Sequence, residues 1–155
     1  MVNALNVGNN ILKRGFAENI DITPMKLQKL IYFVYRDYLK RTQRPLFNER
    51  FETWRYGPVI PSVYNEFKKY GSNAIRNYAL EPGKTSFFTV NEESSPVFKE
   101  IIDNVWMQYK HYDGIVLSSM THQEGTAWKK AYDARISYLS DTDIIQEGGS
   151  IGQRK

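Results

Sequence analysis

Apolar side chains recur along residues 24–41 at the spacing of a helix with one buried face. On a wheel turning 100° per residue, Leu27, Leu30, Ile31, Val34, Tyr35 and Tyr38 fall in one broad arc. Thr23 stands where an N-cap belongs, and Pro24 takes the first helical position, where its missing N–H costs nothing. Opposite the arc, Lys26, Lys29, Arg36 and Lys40 form a narrow stripe with Phe33 at its middle. This predicts a solvated basic face carrying one aromatic ring, a candidate contact surface for a partner. A second helix is predicted over residues 95–111, opened by Ser95 and Pro96, with Phe98, Ile101, Ile102, Val105 and Tyr109 on the face that should pack against the first. Residues 4–16 carry a weaker helical pattern through Leu5, Ile11, Leu12 and Phe16, interrupted by Gly8 at a cost of about 1 kcal/mol relative to Ala.

Between the two strong helices the period changes from helical to alternating. Residues 50–56 place Phe51, Thr53 and Arg55 on one side and Glu52, Trp54 and Tyr56 on the other, predicting a short strand ended by Gly57 and Pro58. Residues 85–90 (TSFFTV) are β-branched and aromatic, and the two strands are expected to pair as a small antiparallel flap. Gly57 can take backbone angles closed to other residues and Pro58 fixes φ, so Tyr56, Gly57 and Pro58 read as a structural corner. That corner leads into helical spacing of Val63, Phe67 and Tyr70, stopped by Gly71. The expected fold is mainly α (α+β in detail), a single domain over residues 1–135 with a two- or three-stranded antiparallel flap. Residues 136–155 read as a C-terminal extension, with a short helix near 141–147 and a fraying polar tail beyond Gly148 and Gly149.

Composition narrows the chemistry. The chain has 155 residues, 41% hydrophobic and 14% aromatic, which rules out a disordered polypeptide. Its longest apolar run, residues 30–35, falls far short of the roughly 20 residues that a bilayer demands, and no secretory signal opens the chain, so a cytoplasmic protein without membrane contact is expected. With no Cys and 2 His, thiolate nucleophiles, disulfides, zinc fingers and His-rich metal centres are all excluded. The net charge of +4 is too small, and the chain too poor in recognisable reading helices, to favour nucleic acid over an acidic protein partner.

His122 and Glu124 form H-x-E, the pairing that zinc deaminases use, but the Pro-Cys-x-x-Cys that completes such a site is missing. No phosphate loop and no exposed-serine elbow is present, so no catalytic residue, metal or cofactor is expected. His122 instead reads as a positioning residue, hydrogen-bonded between the end of one helix and the cap of the next at Thr126. Trp54, Tyr56, Trp106 and Trp128 supply more aromatic area than a small core needs, and each serves either the core or an interface.

Three ordered blocks resemble a known family. Residues 23–33 read TPMKLQKLIYF, ending on Tyr32 and Phe33; residues 51–61 read FETWRYGPVIP; Leu117, Ser118, Thr121, His122 and Trp128 follow. Together they are similar to the SocA-like antitoxin domain, also called Panacea, over roughly residues 5–132. Thr53 stands where that family usually has Ala, and Ala127 where a Pro often precedes the second Trp. The resemblance implies a mainly helical cytoplasmic module of bacteria and their phages that neutralises a cognate protein toxin by direct binding. The paired toxins belong to many unrelated classes, so the toxin stays unidentified. Release would follow proteolysis of the antitoxin from its loose end, which makes protease machinery a second candidate partner. The partner-binding residues expected are Lys26, Lys29, Phe33, Arg36, Lys40, Trp54 and Trp128, with Tyr32, Tyr56, Gly57, Pro58 and His122 as the structural motif. A DNA-binding phage or autoregulatory protein is the second reading, and a metal-dependent enzyme using His122 and Glu124 the third.

Overall fold

A computed structural model describes residues 2–148. The described residues form seven α-helices and one two-stranded sheet: α1 (Ala4–Glu18), α2 (Pro24–Thr42), β1 (Glu52–Trp54), β2 (Gly57–Val59), α3 (Pro61–Phe67), α4 (Pro96–Tyr109), α5 (Gly114–Thr121), α6 (Ala127–Asp133) and α7 (Asp141–Gln146). The mainly α architecture with a small antiparallel flap is therefore as expected.

The helix boundaries follow local chemistry. Asn3 accepts from the Asn6 N–H, Thr23 from Lys26, Asp113 from Val116, Thr126 from Lys129 and Ser140 from Asp143, so five helices open on a side-chain cap. α1 and α2 each end on a residue with positive φ, Asn19 and Gln43, whose N–H returns to the last turn.

α2 is the centre of the molecule, packed against α1, α3, α4, α5, α7 and β2. This overturns one expectation. Lys26, Lys29, Phe33 and Arg36 are all buried and Lys40 is half-buried, so the side opposite the apolar arc is not solvated. Phe33 stacks on Tyr109 with centroids 4.5 Å apart. Each cation reaches a specific acceptor: Lys26 donates to the Lys110 carbonyl at the end of α4, and Lys40 to the carbonyls of Ile145 and Glu147 at the end of α7. Both ammonium groups thus satisfy carbonyls at helix C-termini that accept no backbone N–H among the described residues. The wheel placed these residues together correctly; what it could not show was that other helices lie over them.

The flap also differs in its pairing. β1 pairs antiparallel with β2 in the register Glu52↔Val59, Thr53↔Pro58, Trp54↔Gly57, with Arg55 and Tyr56 at the tip. Gly57 and Pro58 therefore start the second strand rather than merely ending the first. The other edge of β1 meets the chain near Tyr138, where Thr53 N–H donates to Ser137 and Leu139 N–H to Phe51.

Residues 85–90 form no strand. Their backbone is held instead by side-chain amides of α1. Asn10 accepts from the Val90 N–H (2.7 Å) and donates to its carbonyl (3.0 Å), while Asn9 donates to the Phe88 carbonyl (3.0 Å) and forms the same two-way pair with Ala79 outside the segment (2.9 and 3.0 Å). A primary amide offers one acceptor and two donors, so each buried Asn imitates a neighbouring strand at one residue.

Packing does not stop at residue 135: Leu139 and Ile144 belong to the same buried cluster as α2. The fraying tail expected beyond Gly148 lies outside the described residues.

Candidate functional site

Four side chains from three elements take four alternate carbonyls of the hairpin. Trp128 Nε1 of α6 donates to Trp54 (2.7 Å), Ser118 Oγ of α5 to Tyr56, Lys29 Nζ of α2 to Pro58 (3.1 Å) and Gln28 Nε2 of α2 to Ile60 (3.0 Å). Gln28 also accepts the Ile60 N–H at 3.0 Å, closing a two-bond clasp. A protein backbone cannot be buried without partners for its polar groups, and here they come from side chains far away in sequence. The three sequence blocks belong together for this reason: the first and third supply donors to the backbone of the second.

Gly57 makes the close approach possible. Its φ is +120°, and a Cβ there would sit 2.7 Å from Lys29 Cε and 2.8 Å from Thr121 Oγ1.

Lys29 is fully buried beneath this corner, and no carboxylate lies within ion-pair distance of it among the described residues. Burial alone pushes its ammonium down to about 7. The unfolded chain therefore binds more protons than the folded one between about pH 7 and 10, and Lys29 makes stability rise with pH across that window. Lys26 and Lys40, also lowered chiefly by burial, act in the same direction. Tyr32 and Tyr35 are raised, chiefly by burial and then by Glu147 and Asp141 respectively, so their contributions are lost above pH 10. Lys29→Met should flatten the rise between pH 7 and 9.5, which has a limiting slope of about 1.4 kcal/mol per pH unit from a single group. Urea unfolding of both proteins at the two pH values measures this, and an identical rise in both would refute it.

His122 occupies a different role from the expected hydrogen-bonded bridge. Thr126 Oγ1 itself donates to the Thr121 carbonyl and caps α6, while the buried Nε2 of His122 has no partner among the described residues. The imidazole stacks on Trp128 at 3.9 Å, and Trp128 stacks on Tyr132 at 4.4 Å. Burial, and then the nearby Lys29, lower its pKa, and its contact with α6 is the ring face on Trp128. Glu124 points elsewhere, to the rim of a cavity beside Arg36. Among the described residues no group of three His, Cys, Asp or Glu could hold a metal ion.

The aromatic surplus divides by depth. Trp106 and Trp128 are buried, and Trp54 is half-buried with its ring edge-on to Tyr64 at 4.9 Å. Tyr56 is 57% exposed at the hairpin tip, with the Arg55 guanidinium over its ring at 5.6 Å. Beside β1 a shallow groove is lined by Thr53, Tyr132, Arg135, Ile136 and Ser137, with Tyr132 and Ile136 exposed. The stripe residues Lys26, Lys29 and Arg36 are therefore not brought to this surface; its exposed charges are Arg55 at the hairpin tip and Arg135 and Asp133 in the groove. Tyr64 and Tyr132 are surface residues that periodicity did not single out, although Tyr64 follows the second block closely; Arg55 lies inside that block, where alternation placed it on a strand face without assigning it to an interface.

The family described as antitoxin SocA-like, Panacea domain, matches residues 27–129. Antitoxin SocA of Caulobacter vibrioides (strain NA1000 / CB15N) is 33% identical over 129 residues, covering 82% of this chain and 69% of that protein. No solved structure matches the chain. Residues 27–129 hold all four donors to the hairpin carbonyls.

Proposed function

Since the chain belongs to the SocA-like, Panacea-domain antitoxin family, we propose that it is an antitoxin that silences a toxin by direct binding, using the hairpin tip and the aromatic groove beside it. The observation that carries this reading is Tyr56: a large ring, mostly exposed, on a backbone whose carbonyls at 54, 56, 58 and 60 are all held from behind. A contact residue fixed before binding loses little conformational freedom when its partner arrives, so more of its contact energy appears as affinity. Arg55 over the Tyr56 ring, and Arg135 in the groove beside a single carboxylate, Asp133, suit an acidic toxin surface. Burial of Lys26, Lys29 and Arg36 removes the basic helix face on which a nucleic-acid reading would rest.

Tyr56→Ala should weaken toxin binding by about 1–3 kcal/mol, chiefly through faster dissociation, with the thermal midpoint unchanged. Arg55→Glu should slow association, and its effect should shrink as salt is raised. The toxin candidate is the protein encoded by the neighbouring reading frame, tested first by whether it arrests growth unless this chain is co-expressed. Kinetics of binding then decide the surface: a folded Tyr56→Ala, Arg55→Glu double mutant with wild-type affinity would exclude this face.

A further inference from the structure

A cavity of about 460 Å³ lies between α2, α4, the turn joining α5 to α6, and the end of α7. Its volume falls in the range of small-molecule sites. Phe33, Tyr109, Tyr112 and Met120 form an apolar wall, and Arg36, with 3% of its side chain exposed, also lines it. The guanidinium bonds Asp37 through Nε, Glu147 through Nη1 and, at a long 3.4 Å, the Tyr109 hydroxyl through Nη2. A guanidinium carries five N–H groups. One on each terminal nitrogen therefore has no acceptor among the described residues. A buried charged group with unused donors at a cavity wall calls for an acceptor from a ligand.

The surrounding charges restrict which acceptor. Asp37 and Glu147 already neutralise Arg36, and Glu124 stands on the rim, so an anion alone meets net repulsion. A cation alone would leave the Arg36 donors unanswered and add a like charge beside them. A molecule carrying both charges avoids both penalties, its carboxylate facing Arg36 and its ammonium facing Glu124. We propose that this cavity binds a free α-amino acid with an aromatic or branched apolar side chain, whose body packs against Phe33, Tyr109, Tyr112 and Met120.

This proposal is independent of toxin binding, and its test contains no toxin. The full chain is titrated by calorimetry and by thermal midpoint with L-phenylalanine and L-leucine, alongside 3-phenylpropionate, which lacks the ammonium, and phenethylamine, which lacks the carboxylate. Saturable binding in the micromolar to millimolar range is expected for an amino acid, with both analogues at least ~10-fold weaker. Glu124→Gln replaces an exposed side chain and should leave the thermal midpoint of the free protein unchanged. It should weaken amino-acid binding about 10-fold without weakening 3-phenylpropionate, because only the ammonium contact is lost. Absence of saturable binding by both amino acids, equal binding of either analogue, or an unaltered affinity in Glu124→Gln would each overturn the proposal.

Discussion

Glu147→Ala should destabilise the fold by about 3–5 kcal/mol, the range found when one partner of a buried ion pair is removed. Glu147 is 3% exposed and ties three places together. It accepts from the Tyr32 hydroxyl (2.6 Å) and Arg36 Nη1 (3.2 Å) of α2, and from the Ala127 N–H (3.0 Å) at the first position of α6. Without it the buried Tyr32 hydroxyl loses its acceptor, and Arg36 keeps only the adjacent Asp37 as a charged partner, with the long bond to the Tyr109 hydroxyl. A domain of this size should lose roughly 10 °C or more of thermal midpoint. Glu147→Gln keeps an acceptor oxygen but not the charge, and should fall between wild type and Glu147→Ala. Ala127→Pro isolates a single bond: Pro is well tolerated at the first position of a helix, so this change deletes the N–H facing Glu147 and little else. Its cost should be about 1 kcal/mol in wild type and near zero on a Glu147→Ala background. Equal midpoints for wild type and Glu147→Ala would show that Glu147 does not join α7 to the core.

Gly57→Val should cost about 3 kcal/mol, from two sources acting at one atom. A β-branched residue at φ +120° is strained by itself, and the added Cβ collides with Lys29 Cε at 2.7 Å and Thr121 Oγ1 at 2.8 Å. Lys29 has a flexible stem, but its amine is held by Pro58 and its surroundings are packed, so it cannot move aside cheaply. The same substitution should impair toxin binding, because the carbonyls that orient Tyr56 lose their donors. Lys29→Ala removes the colliding Cε but neither the Thr121 contact nor the positive φ, so Gly57→Val in that background should recover part of the loss. Thermal unfolding of the four proteins in the cycle measures the coupling, and strict additivity would show that Lys29 does not limit space at this corner.

Much of this structure is legible in short stretches of sequence, because the interactions concerned are local. The Thr23-Pro24 start of α2, the Ser95-Pro96 start of α4, the turn at Gly57-Pro58 and the stop at Gly71 all follow from backbone geometry that one or two residues impose. The apolar arc of α2 likewise announces a helix with a buried face. Periodicity, however, reports how side chains are arranged around an axis and not what stands opposite them. Whether Lys26, Lys29 and Arg36 meet water or protein was decided by α4, α5, α7 and β2 closing over α2, and each cation is tolerated there only because a carbonyl or carboxylate from a distant part of the chain receives it. The segment at 85–90 shows the same division. Its composition favours a strand, yet it joins no sheet: its partners are Asn9 and Asn10 of a helix some 80 residues earlier, and no local pattern encodes that pairing. Sequence thus determined which local conformations the chain can take, where the backbone energy is set within a few residues. Only the tertiary structure decided which faces are surfaces, since burial is a property of neighbours brought together across the whole chain.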